Sequence, residues 1–195
     1  MKGRMLIFTA PSGAGKTTIV RHLLTKYNDL DFSVSATTRQ KRSHETDGVD
    51  YYFLSTEEFK SKIRNDEFVE WEEVYENQYY GTLKSEVSRL WAEGKHIVFD
   101  IEVKGATNIK EMYGDRCLAV FVKPPSLEVL VERLKNRKTE SAESLRKRIT
   151  RVKQEMTYEN NFDKVLINDL LEVALKEAEF TLEQFIYGRI LEEEE

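Results

Sequence analysis

A glycine-containing loop near the beginning of the sequence carries residue types that bind phosphate. Residues 10–17 read Ala-Pro-Ser-Gly-Ala-Gly-Lys-Thr, which matches the pattern G-x-x-x-x-G-K-[ST] except that Ala10 replaces the first glycine. Gly13 and Gly15 permit backbone conformations that direct N–H groups inward, where phosphate oxygens can accept hydrogen bonds. Lys16 can reach the β- and γ-phosphates, and the Thr17 hydroxyl can ligate Mg²⁺. The loop therefore predicts a nucleoside triphosphate site formed by Ala10, Pro11, Ser12, Gly13, Ala14, Gly15, Lys16, Thr17 and Thr18.

The elements around this loop must position it for phosphate binding. Residues 5–9 are a short apolar run typical of a strand, and residues 16–27 carry an apolar stripe with helical spacing. A helix that begins at Lys16 directs its partial positive end toward the loop. By itself, a relaxed match to the pattern would also fit a chance glycine turn. The strand before the loop and the helix after it favour the phosphate site.

An acidic side chain stands at the end of another apolar strand. Residues 97–101 have the pattern of a buried strand, and Asp100 lies at its carboxyl end, where parallel sheets present their chemistry. The Asp100 carboxylate could hold Mg²⁺ through water, or it could cap the helix that follows. The phosphate loop favours the first interpretation, so Thr17 and Asp100 are the predicted metal ligands.

Apolar strands alternate with amphipathic helices along most of the chain. Further strands are predicted at 32–35, 68–74, 78–80, 118–122 and 165–167, and further helices at 56–64, 83–93, 104–113, 143–158, 170–187 and after a cap at Ser126. This alternation is typical of a parallel sheet that is covered by helices on both faces. The predicted fold class is therefore α/β with a parallel sheet core, and the polar stretches 36–82 and 133–151 are excursions from that core.

The composition excludes several classes of protein. The chain has 195 residues, of which 40% are hydrophobic, and this is enough to form a sizeable core. A formal net charge of −5 argues against nucleic-acid and anionic-membrane partners. The apolar runs fall far short of the ~20 residues that span a bilayer. The single cysteine, Cys117, precedes an apolar run and is predicted to be a core residue, so a reducing cytoplasmic location is expected.

The charged residues form two runs of opposite sign. From Asp66 to Glu76 there are six acidic residues and no basic one. From Arg133 to Arg151 there are eight basic residues and two acidic ones. Such runs fit either a site that binds both an anion and a donor-rich group or ordinary solvated helix faces.

The motifs downstream of the loop closely resemble the guanylate kinase family in their order and spacing. These motifs are Phe32-Ser-Val-Ser-Ala-Thr-Thr-Arg39-Gln-Lys-Arg42, then Glu45, Gly48 and Asp50-Tyr51, then Glu67-Phe-Val-Glu70-Trp71 and Tyr79-Tyr-Gly-Thr82. The resemblance covers nearly the whole chain and implies a P-loop nucleoside monophosphate kinase fold over residues 1–190. It further implies a core (1–35, 83–125 and 152–190), a GMP-binding lobe (36–82), a lid (about 126–151) and an acidic tail at 191–195.

The resemblance also implies how the phosphate of GMP would be bound. Arg39 and Arg42 would hold the phosphate dianion through their planar guanidinium forks, and Glu45 would orient these arginines. The hydroxyl groups of Tyr51 and Tyr80 would donate to the same phosphate. This part of the site therefore matches a monoester phosphate in both charge and shape.

The guanine base would be recognised by Glu70, as the resemblance implies. Guanine presents N1–H and an exocyclic amine side by side, and one carboxylate can accept from both. Adenine offers an acceptor at N1 and no amine at C2, so a site built on paired donors can reject it by ~10⁴–10⁵-fold. Without the flanking motifs, Glu70 would be read as one more exposed acid. The other GMP contacts implied by the resemblance are Ser35, Gly81, Thr82, Asp100 and Glu102.

Three arginines of the basic run, Arg133, Arg137 and Arg148, resemble the lid arginines of the family. Guanidinium groups brought over a transferring phosphoryl group would neutralise its charge and exclude water. The solvated surface is the preferred assignment for Lys135, Lys138, Lys147 and Arg151, although any of them could assist the transfer. Asn168 corresponds to the family position that contacts the adenine of ATP, although an ordinary helix cap fits this residue as well.

The implied activity is phosphorylation of GMP, and also of dGMP, by ATP through direct in-line transfer with Mg²⁺ as cofactor. Two other functions are compatible with a chain of this kind. One is a non-catalytic guanylate-kinase-like domain that binds phosphorylated peptides, and the other is a phosphotransferase with a different phosphorylated acceptor. The loop lysine and the lid arginines argue against the first, and the intact set of guanine-reading residues argues against the second. The sequence does not decide between a monomer and a homo-oligomer.

Overall fold

The computed structural model describes residues 3–135 and 142–188, and for residues 142–148 it describes the backbone alone. The strands are β1 (Met5–Thr9), β2 (Leu30–Phe32), β3 (Ala36–Thr37), β4 (Tyr52–Phe53), β5 (Phe68–Tyr75), β6 (Gln78–Leu83), β7 (His96–Asp100), β8 (Cys117–Lys123) and β9 (Lys164–Ile167). The helices are α1 (Lys16–Lys26), α2 (Thr56–Arg64), α3 (Lys84–Ala92), α4 (Val103–Tyr113), α5 (Leu127–Lys135), α6 (Ala142–Met156) and α7 (Leu171–Tyr187). Among the described residues, no helix is both long enough and apolar enough to cross a membrane.

A five-stranded sheet forms the centre of the fold. Its strands lie in the order β2-β7-β1-β8-β9, and each neighbouring pair is parallel. All five residues of β1 are buried, as expected for a continuous apolar strand in the middle of a parallel sheet. The predicted α/β fold with a parallel sheet core is therefore confirmed.

Helices cover both faces of this main sheet. Leu6 and Phe8 of β1 belong to one apolar cluster with α1 and α7, whereas Met5 and Ile7 belong to a second cluster with α3 and α4. This alternation follows from the two-residue period of a strand. Cys117 is buried in the second cluster, so its predicted place in the core is confirmed.

A second sheet is formed by the polar excursion between β2 and α3. Its strands lie in the order β4-β3-β6-β5, and β6 pairs antiparallel with both β3 and β5. The apolar cluster of this sheet contains Phe59 of α2, whose ring stacks on that of Phe68 with centroids 4.3 Å apart. The ring of Tyr79 lies 5.4 Å from that of Phe59. The second sheet therefore has an apolar cluster of its own, separate from those of the main sheet.

The structure corrects two boundaries at the entry to this excursion. The sequence predicts a strand at 32–35, but β2 spans Leu30–Phe32 and the chain then leaves the main sheet. The backbone N–H of Val34 donates to the buried carboxylate of Glu86 at 3.1 Å instead of to a neighbouring strand. Residues 36–55, in which no strand is predicted, include β3 and β4, which pair with each other, and β3 also pairs with β6.

The loops that can carry chemistry project from one edge of the main sheet. The parallel register places Phe8 of β1 beside Asp100 of β7. The loop that follows β1 therefore begins next to the acidic end of β7. The carboxyl edge of a parallel sheet is where α/β folds bind their ligands.

Replacing Phe59 by alanine is expected to loosen the second sheet while the main sheet stays folded. The change removes a fully buried ring and should cost about 3–5 kcal/mol of stability within that cluster. Hydrogen exchange should accelerate for the amides of β3, β5 and β6 and remain slow in β1 and β8. Val49→Ala shortens a side chain of the same excursion that is 64% exposed, and it should leave both sheets unchanged. Equal acceleration in the two sheets would contradict the separation of their cores.

Candidate active site

The loop between β1 and α1 forms a concave surface of backbone groups. Gly13 and Gly15 have positive φ angles of 94° and 93°, a conformation that residues with a side chain rarely adopt. Gly15 also has no room for a side chain, since an added Cβ would lie against the Nδ2 atom of Asn168. Helix α1 begins directly after Gly15, so the backbone N–H groups of its first turn have no partner within the helix. Residues 10–18 line a concavity of about 230 Å³ at this point.

Lys16, Thr17 and Asp100 form a polar contact between this loop and the end of β7. The Nζ atom of Lys16 lies 2.5 Å from one carboxylate oxygen of Asp100, and the hydroxyl of Thr17 donates to the other at 3.0 Å. The alternative that Asp100 caps the next helix is wrong, because the N-cap of α4 is Glu102. A hydroxyl and a carboxylate are hard oxygen ligands of the kind that Mg²⁺ prefers. The residues present therefore fit the predicted metal.

A cavity of about 270 Å³ adjoins the phosphate loop and is lined by residues of both sheets and of α6. It brings together many residues that were predicted from separate parts of the sequence. These residues are Ser12, Lys16, Ser35, Tyr51, Glu70, Tyr80, Gly81, Asp100 and Glu102. The cavity therefore joins the predicted triphosphate loop to the predicted guanine pocket.

Glu70 contributes a buried carboxylate to this cavity. Its residue is 7% exposed, so the alternative of an ordinary surface acid is wrong. Glu70 on β5 lies opposite Thr82 on β6, and the Thr82 hydroxyl donates to its Oε1 atom at 2.8 Å. Burial raises the pKa of Glu70 to about 7, because the hydrogen bonds from Thr82 offset only part of the cost of desolvating the charge. Within the described part of the chain, the cavity therefore presents a carboxylate with fewer hydrogen-bond donors than its ionised form requires.

Gly105 is a site residue that the sequence analysis did not identify. It lies in α4, and a Cβ built on it would approach the Oε2 atom of Glu70 to 2.5 Å. The missing side chain thus provides the space that the Glu70 carboxylate occupies. A glycine inside a predicted helix was the available signal, since such a residue often marks a close approach.

Arg39 and Glu45 form the best-defined ion pair near the cavity. The two guanidinium NH groups of Arg39 donate to the two carboxylate oxygens of Glu45 at 3.1 and 2.7 Å. This pairing lowers the pKa of Glu45 to about 2, and the backbone N–H of Arg42 adds a bond of 2.8 Å to the same carboxylate. The Arg42 side chain is 64% exposed, and its NH1 atom lies 3.9 Å from the Oε1 atom of Glu45. Glu45 holds Arg39 in place and fixes the backbone of Arg42.

Aromatic rings flank the Arg39 guanidinium. Its central carbon lies 5.3 Å from the ring centroid of Tyr51 and 5.7 Å from that of Phe53. The Tyr51 ring meets the Tyr80 ring edge-on, with centroids 6.1 Å apart. Both tyrosines line the cavity, and burial raises the pKa of Tyr51, so its hydroxyl remains a donor at neutral pH. The predicted phosphate-binding residues are thus grouped beside the predicted guanine-reading residues.

Asn168 lies on the opposite side of the phosphate loop. Its amide nitrogen donates to the Ala14 carbonyl at 2.7 Å, and Arg133 donates to the Asn168 carbonyl at 3.1 Å. The helix-cap alternative for Asn168 is wrong, because the N-cap of α7 is Leu170. Asn168 therefore supports the loop that was predicted to bind ATP.

Some predicted residues fall outside the described part of the chain. Arg137 lies in the undescribed segment 136–141, and the acidic tail 191–195 is likewise outside. Arg148 belongs to α6, but its side chain is not among those described. Of the three arginines predicted to belong to a lid, Arg133 is therefore the one whose side chain the structure describes.

The assignment of Arg151 to the solvated surface is wrong. Its side chain is 29% exposed and lines the cavity, where it pairs with Glu102 at 2.9 Å and with Glu155 at 2.7 Å. Glu155 also lines the cavity and was not singled out from the sequence. The pairing of Arg151 with Glu155 is visible as an i, i+4 spacing on a helix, but that with Glu102 depends on how α6 packs.

The chain has the architecture of the P-loop nucleoside monophosphate kinase fold, in which a phosphate-binding type of loop lies at the carboxyl edge of a parallel sheet. Comparison with known proteins specifies the family. A family model described as guanylate kinase matches residues 2–185 of the chain.

The chain is 47% identical over 186 residues to the guanylate kinase of Bacteroides thetaiotaomicron, covering 95% of the chain and 91% of that protein. It is 50% identical over 182 residues to the guanylate kinase of Salinibacter ruber, covering 93% and 96%. The crystal structure of guanylate kinase from Anaplasma phagocytophilum superposes with a TM-score of 0.73 at 25% identity, covering 95% of this chain and 87% of that one. This chain belongs to the guanylate kinase family and is an enzyme of the kinase class.

Gly105→Ala is expected to displace the Glu70 carboxylate without destabilising the protein. The new Cβ would occupy the position of the Glu70 Oε2 atom, whereas alanine in a helix is favoured over glycine by about 1 kcal/mol. Calorimetry with GMP, the ligand that the resemblance implies, should show about ten-fold weaker binding, and binding of ATP should be unchanged. Glu111→Ala, at an exposed position of α4, serves as the control. Equal weakening of both ligands, accompanied by a lower Tm, would contradict this role of Gly105.

Proposed function

We propose that this chain transfers the γ-phosphoryl group of ATP to GMP and yields ADP and GDP. The observation that carries this proposal is the position of the buried Glu70 carboxylate in the cavity that Lys16 also lines. A buried acid with too few donors favours a ligand that brings donors, and a phosphate loop favours a ligand that brings phosphates. A guanine nucleotide next to a nucleoside triphosphate supplies both.

Glu70 is proposed to recognise the guanine base. Its carboxylate accepts from N1–H and from one hydrogen of the exocyclic amine, while Thr82 fixes the carboxylate through its hydroxyl. AMP presents an acceptor where Glu70 requires a donor, and this leaves the buried acid unpaired. Ser35 and Gly81, which line the same cavity, enclose the base. Because none of these contacts involves the ribose 2′-hydroxyl, dGMP is a second proposed substrate.

The phosphate of GMP is proposed to bind Arg39 and Arg42. Glu45 already holds Arg39 in one orientation, so little side-chain freedom remains to be lost on binding. Tyr51 and Tyr80 donate their hydroxyls to the same phosphate from the wall of the cavity. The four side chains would present the monophosphate toward Lys16 and the phosphate loop.

The triphosphate of ATP is proposed to bind residues 10–18, with Lys16 moving from Asp100 to the β- and γ-phosphates. Thr17 and Asp100 would hold Mg²⁺ together with phosphate oxygens and water, and this ion would neutralise the charge of the phosphates. Asn168 supports the loop from behind through the Ala14 carbonyl. The residues of this chain therefore bind and orient the donor while their cations offset its charge.

Phosphoryl transfer is proposed to be direct. A phosphate oxygen of GMP forms a bond to the γ-phosphorus as the bond to the β-phosphate oxygen of ATP breaks, so ADP leaves and no enzyme nucleophile takes part. Lys16 and Arg133, together with Arg137 and Arg148, would neutralise the charge on the transferring group. The proposed lobe (36–82) and lid (about 126–151) would close over the core and exclude water.

A reducing cytoplasm is the proposed compartment.

Lys16→Ala is expected to abolish GMP phosphorylation and to leave the fold intact. The substitution removes the cation that contacts the transferred phosphoryl group, and turnover should fall by at least about 10³-fold. A coupled ADP-release assay with ATP and GMP measures turnover, and thermal unfolding monitors the fold. Lys176→Ala removes an exposed lysine from α7 and should retain full turnover. Near-normal turnover of the Lys16 variant would refute the role of the loop, and a wild-type protein that ignores GMP would refute the proposed function.

Acidification is expected to weaken the use of GMP through Glu70. Burial raises the pKa of this group to about 7, and the ionised form is the one that accepts from both guanine donors. The kcat/KM for GMP should therefore rise with increasing pH through about 7 and level off above it, since this ratio reports groups of the free enzyme.

Glu70→Gln should lose this titration and discriminate less well between GMP and AMP. The phosphate of GMP itself titrates at about pH 6 and would account for the step that remains. Glu73→Gln, which alters an exposed acid on the same strand, should keep the wild-type profile. A Glu70 variant with the wild-type profile and the wild-type preference over AMP would rule out the assignment.

A further inference from the structure

Arg151 links the lid helix α6 to an acid of the predicted guanine pocket. Its guanidinium donates through NH2 to the Oε2 atom of Glu102 at 2.9 Å and through Nε to the Oε1 atom of Glu155 at 2.7 Å. Its central carbon also lies 5.9 Å from the ring centroid of Tyr75. All four residues line the cavity that contains Glu70. The guanidinium is therefore held from three sides within the site.

The charges around Arg151 show why its loss would matter. Among the described residues that line the cavity, the acids are Glu70, Glu72, Asp100, Glu102 and Glu155, and the cations are Lys16 and Arg151. Lys16 is paired with Asp100, so Arg151 is the cation that separates Glu102 from Glu155. The Glu155 side chain is 9% exposed, and its Oε2 atom has no hydrogen-bond partner in the part of the chain that the structure describes. Without Arg151, the two carboxylates would repel each other, and Glu102 would turn toward solvent.

Guanine carries a hydrogen-bond donor from which Glu102 is placed to accept. The exocyclic amine has two hydrogens, and Glu70 accepts one of them together with N1–H. The second hydrogen needs an acceptor on the other side of the base. Glu102 lines the cavity, and its Oε1 atom has no hydrogen-bond partner among the described residues while Arg151 occupies Oε2.

We propose that Arg151 is a positioning residue for base recognition, which holds the Glu102 carboxylate so that it accepts a hydrogen bond from the 2-amino group of the substrate. Glu155 anchors the guanidinium from its own helix, and its buried carboxylate gives Arg151 one fixed orientation. The inference rests on the proposed function, because it concerns the same base. Helix α6 extends from the proposed lid into the core. The inference therefore gives this helix a part in selecting the substrate that accepts the phosphoryl group.

Inosine monophosphate tests this role because it lacks only the 2-amino group. In Arg151→Ala, kcat/KM should fall about ten-fold for GMP, through KM, and less than about two-fold for inosine monophosphate. The KM for ATP should be unchanged. Arg151→Lys keeps a cation between the two acids and should recover most of the efficiency toward GMP. Combining Arg151→Ala with Glu102→Ala should be no worse than Glu102→Ala alone, since Arg151 acts through Glu102.

Lys153→Ala is the matched control, since it removes a cation from an exposed position of the same helix. It should leave kcat/KM unchanged for both GMP and inosine monophosphate. Thermal unfolding of each variant monitors the fold. Equal losses toward GMP and inosine monophosphate in Arg151→Ala, or a double variant much worse than Glu102→Ala, would overturn the inference. These outcomes leave wild-type turnover of GMP intact, whereas a wild-type protein inactive toward GMP would overturn the proposed function itself.

Discussion

The parallel pairing of β1 with β7 is the constraint on which the rest of the site depends. Their register places Phe8 beside Asp100, so the phosphate loop that follows β1 begins next to the acid that ends β7. Lys16 and Thr17, at the start of α1, then meet the two oxygens of one carboxylate. Groups placed by buried strands move little when a ligand binds, and this is the preorganisation that electrostatic catalysis requires.

The second sheet adds to this arrangement a carboxylate that is costly to bury. Glu70 lies in the cavity with Thr82 as its hydrogen-bonding partner, and Gly105 of α4 leaves the space in which its carboxylate lies. A structural carboxylate at this depth would be paired with a cation, as Glu45 is paired with Arg39. The incomplete pairing of Glu70 is therefore what supports its proposed role in binding. A base with two adjacent donors would restore hydrogen bonds that desolvation removed.

Local patterns were sufficient to predict the phosphate loop, the alternation of strands and helices and the position of Asp100, because each depends on residues close together in sequence. The end of β2 was missed because the buried Glu86, 52 positions away, accepts from the backbone of Val34. Arg151 was missed for the same reason, since its contact with Glu102 exists only after α6 has packed against the core. Gly105 was visible as an unusual helix residue, but its purpose depends on a side chain from another sheet.

The residues predicted to bind the nucleotides were inferred from a resemblance. The geometry explains why those residue types occur together. Lys16 is paired with Asp100 and Arg39 with Glu45, so the charge of each cation is offset by a carboxylate. An incoming phosphate would exchange with a carboxylate that already holds the cation in place, and the desolvation of an unpaired cation is avoided. Arg151 differs because its carboxylate partners belong to the part of the cavity that is proposed to receive a neutral base. No phosphate would compete for Arg151 there, so its ion pairs would persist and would orient the acids.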